Sequence, residues 1–144
     1  MSTDVRACSI ARTLELVGEK WTLLAVREMV LGNHRFDEFV RYTGAPRDIL
    51  TNRLRKLEDA GLVHRTQYQD RPPRFEYHLT EAGQALRPII GALRAWGDQY
   101  VAPPDGPPMV FTHTCGETFH AAMACRACGQ IAEPGSVSLV TDTS

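Results

Sequence analysis

Apolar residues recur three and four positions apart in several stretches of the first half of the chain, the spacing that gathers them on one face of an α-helix. Ile10, Leu14, Leu16 and Val17 form the first stretch, ended by Gly18. Trp21, Leu23, Leu24, Val26, Met29 and Val30 form a second, more apolar one that ends at Gly32, so this helix is expected to be mostly buried. Phe36, Phe39 and Val40 mark a short third helix stopped by Gly44. A fourth runs from Pro46 through Ile49, Leu50, Leu54 and Leu57 to Gly61. A proline at its start costs no hydrogen bond, because first-turn N–H groups have no helical partner.

The period then switches from helical to two. Residues 62–68 alternate and carry β-branched and aromatic side chains, Asp70-Arg71-Pro72-Pro73 turns the chain, and residues 75–79 alternate back. Two such runs around a polar turn predict a hairpin. Thr80 is placed to cap the next helix, with Glu81 in its first turn and Leu86, Ile89, Ile90, Leu93, Trp96 and Tyr100 along it. Pro88 falls inside that pattern and predicts a kink. Helices, a hairpin and a long helix, in this order, predict a winged helix-turn-helix, mainly α with a β-hairpin wing (class α+β). The 36–42 and 46–60 helices are its helix-turn-helix, joined at Thr43-Gly44-Ala45, and residues 62–79 are its wing.

Composition then divides the chain. Val101–Pro108 carries four prolines and a glycine, so residues 103–108 are expected to be a stiff linker. They separate a main winged-helix domain, residues 1–102, from a 109–144 extension. In the extension, residues 109–112, 118–120 and 137–140 look strand-like, which suggests a small β-rich, zinc-ribbon-like tail. The apolar runs are too short to span a bilayer, and Met1–Ala7 lacks the apolar stretch of a secretory signal. The expected compartment is the cytoplasm, where cysteines serve as metal ligands or reactive thiols more often than as disulfides.

The net charge of −1 hides an uneven distribution. Residues 41–74 hold eight Lys and Arg against four Asp and Glu, a net +4, and seven of the eight cations are Arg. Guanidinium groups suit phosphate and guanine better than ammonium groups do. A recognition helix needs one apolar stripe to hold it on its domain and polar groups opposite to reach DNA. Leu50, Leu54 and Leu57 supply the stripe. Arg47, Asp48, Thr51 and Asn52, in the N-terminal turns, are the base-contact candidates. Arg53, Arg55 and Lys56 are candidates for phosphate. Arg53 can instead lie flat and pair with a carboxylate, and Arg55 with Asp59 is an i,i+4 pair. At the wing, Arg71 and Arg74 flank Pro72-Pro73, a placement suited to the minor groove or the backbone; a rigid surface turn is the plainer alternative.

These segments resemble the HxlR family of bacterial transcriptional regulators, relatives of the MarR winged-helix group. The resemblance is carried by Cys8 with Arg12-Thr13-Leu14, Gly18-Glu19-Lys20-Trp21-Thr22-Leu23-Leu24 and Arg35-Phe36-Asp37-Glu38-Phe39. It continues through residues 49–58, Gly61-Leu62-Val63, residues 72–83 and Trp96-Gly97. It implies a homodimer on a two-fold operator that represses, or alternatively activates, nearby genes, under an unknown small-molecule or oxidant effector. It also implies a dimer interface built from the N-terminal helix and the long helix after the wing, with Leu86, Leu93 and Trp96 apolar enough to take part. Where the family usually has proline after its early cysteine, this chain has Ser9. In some relatives that cysteine senses oxidants, and Cys8 sits where a helix N-terminus would lower its pKa; an inert thiol packed at the interface is the other reading.

The remaining cysteines cluster in the tail as His113-Thr114-Cys115-Gly116 and Cys125-Arg126-Ala127-Cys128-Gly129. Four N and S ligands in two short-spaced pairs suit a structural Zn2+, with His120 as a spare ligand. Residues 125–128 can also be a redox dithiol, or the tail can pack without metal. A rival to DNA binding is a winged helix used for protein contact in a larger assembly, with the tail as its docking element, although the +4 segment favours nucleic acid. No phosphate loop, G-x-S-x-G or H-E-x-x-H motif is present, which argues against an enzyme.

Overall fold

The computed structural model of the chain describes residues 5–140. The start of the N-terminal stretch considered for a targeting signal, and the last four residues of the tail, lie outside them. The elements run α1 (Ser9–Val17), α2 (Lys20–Val30), α3 (Phe36–Thr43), α4 (Arg47–Asp59), β1 (Val63–Asp70), β2 (Pro73–Leu79), α5 (Glu81–Gln84) and α6 (Arg87–Tyr100). The chain forms two compact units, one up to Ile90 and the other from Gly91. The division falls inside α6, upstream of the 103–108 segment where composition suggests a linker.

The first unit is the winged helix-turn-helix. Its core gathers Val26 and Met29 of α2, Phe39 of α3, Leu50, Leu54 and Leu57 of α4, and Val63 and Leu79 from the base of the hairpin. Only Val17 of α1 is buried. The helix starts are satisfied locally. The Glu19 carboxylate accepts the N–H groups of Trp21 and Thr22, at 2.9 and 3.1 Å, and caps α2. The Arg35 N–H donates to Glu38 Oε1 at 3.1 Å at the start of α3. Gly44 ends α3 with φ +77, a left-handed conformation that glycine adopts without steric cost. The buried Glu28 carboxylate is held by Arg27 Nε at 2.7 Å and Asn33 Nδ2 at 3.0 Å, which compensates its loss of water.

β1 and β2 pair antiparallel, with Val63 opposite Leu79 and Arg65 opposite Tyr77. The register shifts between Gln67 and Gln69, leaving Tyr68 as the extra residue. A third segment completes the sheet edge: the Tyr77 N–H donates to the His34 carbonyl at 2.7 Å, and Arg35 bridges to Glu76. One bridged residue carries no alternating pattern, so this link between wing and α3 is invisible to periodicity.

The single kinked helix expected over 81–100 is instead two helices. Thr80 caps α5 by accepting the Gly83 N–H at 3.2 Å, and the chain breaks at Ala85-Leu86 before α6 begins at Arg87. Pro88 therefore stands in the first turn of α6, where its missing N–H and its ring disturb no helical hydrogen bond.

The second unit has no buried residue among those described. Its β structure beyond α6 is limited to two single bridges, Thr112 with Thr118 and Ala124 with Ile131. Each bridge closes a short turn, and exposed polar runs of this length bury too little apolar surface to extend the pairing.

Candidate nucleic-acid interface

Packing orients α4. Leu50, Leu54 and Leu57 are at most 1% exposed, so the helix can turn only its opposite face outward. That face carries Arg47, Asp48, Thr51, Asn52, Arg55 and Lys56, all exposed, while Arg53 is half-buried at the edge of the stripe. The turn into α4 is tied from inside: the Thr43 hydroxyl accepts the Ala45 N–H at 3.0 Å, and Ala45 is buried.

The outward residues have different local partners. Arg47 Nη2 lies 3.1 Å from Asp37 Oδ1, and Arg74 Nη1 of β2 lies 4.0 Å from Asp37 Oδ2. One carboxylate in the first turn of α3 thus faces a cation of α4 and a cation of the wing. The Thr51 hydroxyl donates to the Arg47 carbonyl at 2.9 Å. Arg53 Nε lies 3.1 Å from Glu19 Oε2, the carboxylate pairing that its place beside the stripe allowed. That nitrogen is buried and out of line for a hydrogen bond, and Arg53 Nη1 reaches Asn52 Oδ1 at 3.4 Å. Lys56 Nζ donates to the Glu15 carbonyl of α1 at 2.6 Å, so this ammonium ties α4 to α1. Among the described residues, Asp48, Arg55 and Arg71 form no salt bridge.

Between α3, α4 and the wing lies an open groove of about 520 Å³, lined by Phe36, Asp37, Thr51, Tyr68, Arg74 and Phe75 among others. Two arginines that charge alone did not single out stiffen its wall. Arg35 stacks on Tyr68 at 4.2 Å and faces Glu76 at 3.6 Å. Arg65 stacks on Phe75 at 4.6 Å and faces Glu58 at 3.4 Å. The available signal was alternation: Arg65 faces Tyr77 on the partner strand, and Phe75 lies two residues from Tyr77 on the same side of the sheet. At the base of the hairpin, His34 stacks on His78 with centroids 4.0 Å apart. Burial pushes the Tyr77 hydroxyl above its ordinary value, with the Arg65 guanidinium pulling the other way.

An exposed polar face on a helix anchored by leucines, beside a hairpin with cations near its tip, is the arrangement a DNA duplex accepts. The HxlR-like helix-turn-helix family model matches residues 16–105. The chain belongs to that family. An uncharacterised HTH-type transcriptional regulator of Mycobacterium tuberculosis, Rv3095, is 47% identical over 123 residues, covering 85% of this chain and 78% of the relative. YdeP of Bacillus subtilis, another uncharacterised HTH-type regulator, is 38% identical over 100 residues, 69% of this chain and 78% of the relative. Among solved structures, PA1607, a candidate transcription factor, superposes with a TM-score of 0.81 at 28% identity over 99% of this chain and all of that one. The redox regulator HypR in its oxidised form gives 0.61 at 38% identity over 67% of this chain and 100% of its own. This HxlR-like protein is therefore a transcriptional regulator of the winged-helix type, in a family of DNA-binding proteins and not of enzymes. No helix among the described residues is long and apolar enough to cross a membrane.

The other candidate residues lie apart from this face. Cys8 is the N-cap residue of α1, half-buried, and its carbonyl accepts the Arg12 N–H at 3.2 Å. In the tail, the Cys115 N–H donates to His113 Nδ1 at 3.2 Å. N–H groups of Cys128 and Ala127, and the Cys128 thiol, hold the Cys125 thiol below its ordinary value. Among the described residues no three of His, Cys, Asp or Glu are grouped to hold a metal ion. His120 instead lines an open groove of about 390 Å³ in the second unit, with Phe111 and Phe119.

Proposed function

We propose that this regulator represses transcription as a homodimer on a two-fold operator, with α4 in the major groove and the hairpin against the backbone. The observation that supports this most is the division of α4 into a buried leucine stripe and an exposed face bearing Arg47, Asp48, Thr51, Asn52 and Arg55. Arg47, Asp48, Thr51 and Asn52 are assigned to base edges, where arginine suits guanine and asparagine suits adenine. Arg55, Arg71 and Arg74 are assigned to phosphate. Arg53 and Lys56 contribute charge to the same region while held by Glu19 and by the Glu15 carbonyl.

Dimerisation fits the exposed apolar residues of two helices. Ile10 and Leu14 of α1, and Leu93, Trp96 and Tyr100 of α6, are all more than half exposed. Large apolar side chains left exposed along a helix suit an interface with another chain. Control by an oxidant or a small molecule completes the reading, with Cys8 as the oxidant-sensing residue. Cys8→Ser is then expected to abolish oxidant-induced loss of operator binding.

The test is binding of the purified protein to its own promoter region across a salt series. Neutralised phosphates release counterions, so the affinity falls steeply with salt, by a log–log slope of about −0.9 per phosphate contacted. A flat salt dependence, or binding to a protein partner in place of DNA, would overturn the assignment.

A further inference from the structure

The C-terminal part of α6 and the segment after the proline-rich stretch border an open groove of about 390 Å³, wholly within the second unit. α6 places Arg94 and Asp98 along it, at i,i+4 spacing and so on one helix face. Two aromatic rings stand on the other side. Thr112 bridges Thr118, and the Phe119 N–H donates to the Phe111 carbonyl at 2.6 Å. Phe111 and Phe119 therefore lie opposite each other on the two arms of one turn, with their side chains on the same side. The Arg94 guanidinium lies over the Phe111 ring, 3.9 Å from its centroid, a contact that uses none of its N–H donors. Phe119 keeps 41% of its surface exposed. Both Arg94 and Asp98 are half-buried, yet among the described residues neither forms a salt bridge.

We propose that this groove binds a free aromatic α-amino acid, with its carboxylate on Arg94, its ammonium on Asp98 and its ring against Phe111 and Phe119. The assignment is independent of the DNA-binding face and of Cys8. Charge decides the class of ligand. A half-buried cation and a half-buried anion have each lost water without gaining a counter-charge, and a ligand that carries both signs restores both. An anion alone would be repelled by Asp98, and a cation alone by Arg94. The guanidinium suits a carboxylate because its donors can meet both oxygens at once. Asp98 accepts the ammonium donors, and the two phenylalanine rings favour an aromatic side chain through offset and edge contacts.

Size agrees with charge. Sites for small ligands run from about 300 to 1,000 Å³ and combine apolar walls with a few placed polar groups. At about 390 Å³ this groove lies at the small end, which suits one amino acid better than a peptide. Met109 and Val110 extend its apolar lining beside the rings, and Gln99 adds a neutral polar group.

The experiment titrates the full-length chain with L-phenylalanine by isothermal calorimetry, beside three truncated probes. 3-Phenylpropionate lacks the ammonium, phenethylamine lacks the carboxylate and L-alanine lacks the ring. L-Phenylalanine is expected to saturate one site per chain, and each truncated probe to bind at least about tenfold more weakly, as withdrawal of a charge-assisted hydrogen bond or of the ring contact requires. Asp98→Asn is expected to bind L-phenylalanine and 3-phenylpropionate alike. Arg94→Gln is expected to bind L-phenylalanine and phenethylamine alike. The wild-type probe series decides the matter even where a variant misfolds. No saturable binding of L-phenylalanine at millimolar concentration overturns the proposal. So does equal binding of all four probes, or a preference for the zwitterion that survives in folded forms of both variants.

Discussion

The Asp37 carboxylate lies 3.1 Å from the Arg47 guanidinium, joining the first turn of α3 to the first turn of α4. Arg74 of the wing approaches the other oxygen of the same carboxylate. Asp37 thus competes with DNA for two of the cations assigned to it. The pair is two-thirds exposed on both sides, so its direct worth to stability is about 0–1 kcal/mol. Asp37→Ala is expected to leave the urea midpoint almost unchanged and to tighten binding to unrelated DNA by several-fold. Discrimination between operator and competitor falls with it. Fluorescence anisotropy on both DNAs measures the two affinities; weaker binding to both would show that Asp37 positions the arginines instead of restraining them.

Arg55 and Asn52 separate affinity from specificity. Arg55 is exposed on α4 and outside any salt bridge among the described residues. Arg55→Ala is expected to weaken binding to all sequences alike and to flatten the salt slope by about one unit. Asn52→Ala should alter which operator variants are preferred, by about 1–3 kcal/mol at one base pair. Competition binding across a set of single-base operator variants distinguishes the two patterns.

Gly83 is a packing position. A Cβ there would stand 2.1 Å from the Leu62 carbonyl oxygen and 3.0 Å from Leu79 Cδ2. The backbone oxygen cannot swing aside as a side-chain tip can, so α5 would have to lift from the base of the hairpin. Gly83→Ala is expected to cost roughly 1–3 kcal/mol, as overpacking does. Urea unfolding followed by circular dichroism reads the loss, and DNA affinity falls with the folded fraction.

Oligomeric state tests the apolar face of α6. Trp96 is 60% exposed and Leu93 54%, large areas for side chains with no polar role. Leu93→Asp is expected to shift the protein to monomer in sedimentation and to weaken operator binding by at least about tenfold, because one half-site then binds without the other. The far-ultraviolet circular dichroism stays that of a folded winged helix, since Leu93 lies outside the buried core.

Much of this architecture was legible in the residues because burial is periodic. Leu50, Leu54 and Leu57 recur at the helical period, and that recurrence alone assigns α4 a buried and an exposed face. Alternation in residues 62–68 and 75–79 marks the wing, and Thr80 and Gly44 mark where helices begin and end. Composition locates the basic segment as well, since charge needs no geometry to be counted. Partners distant in sequence were not legible. Lys56 faces the Glu15 carbonyl, Arg53 faces Glu19 and Asp37 faces both Arg47 and Arg74, and each pairing joins elements whose relative placement no local pattern encodes. The same limit applies at Pro88, where one predicted helix became two. Spacing along the chain determined which elements form and which faces they bury. The packing of those elements decided which charges meet, because ion pairing depends on distance through space and on access to water.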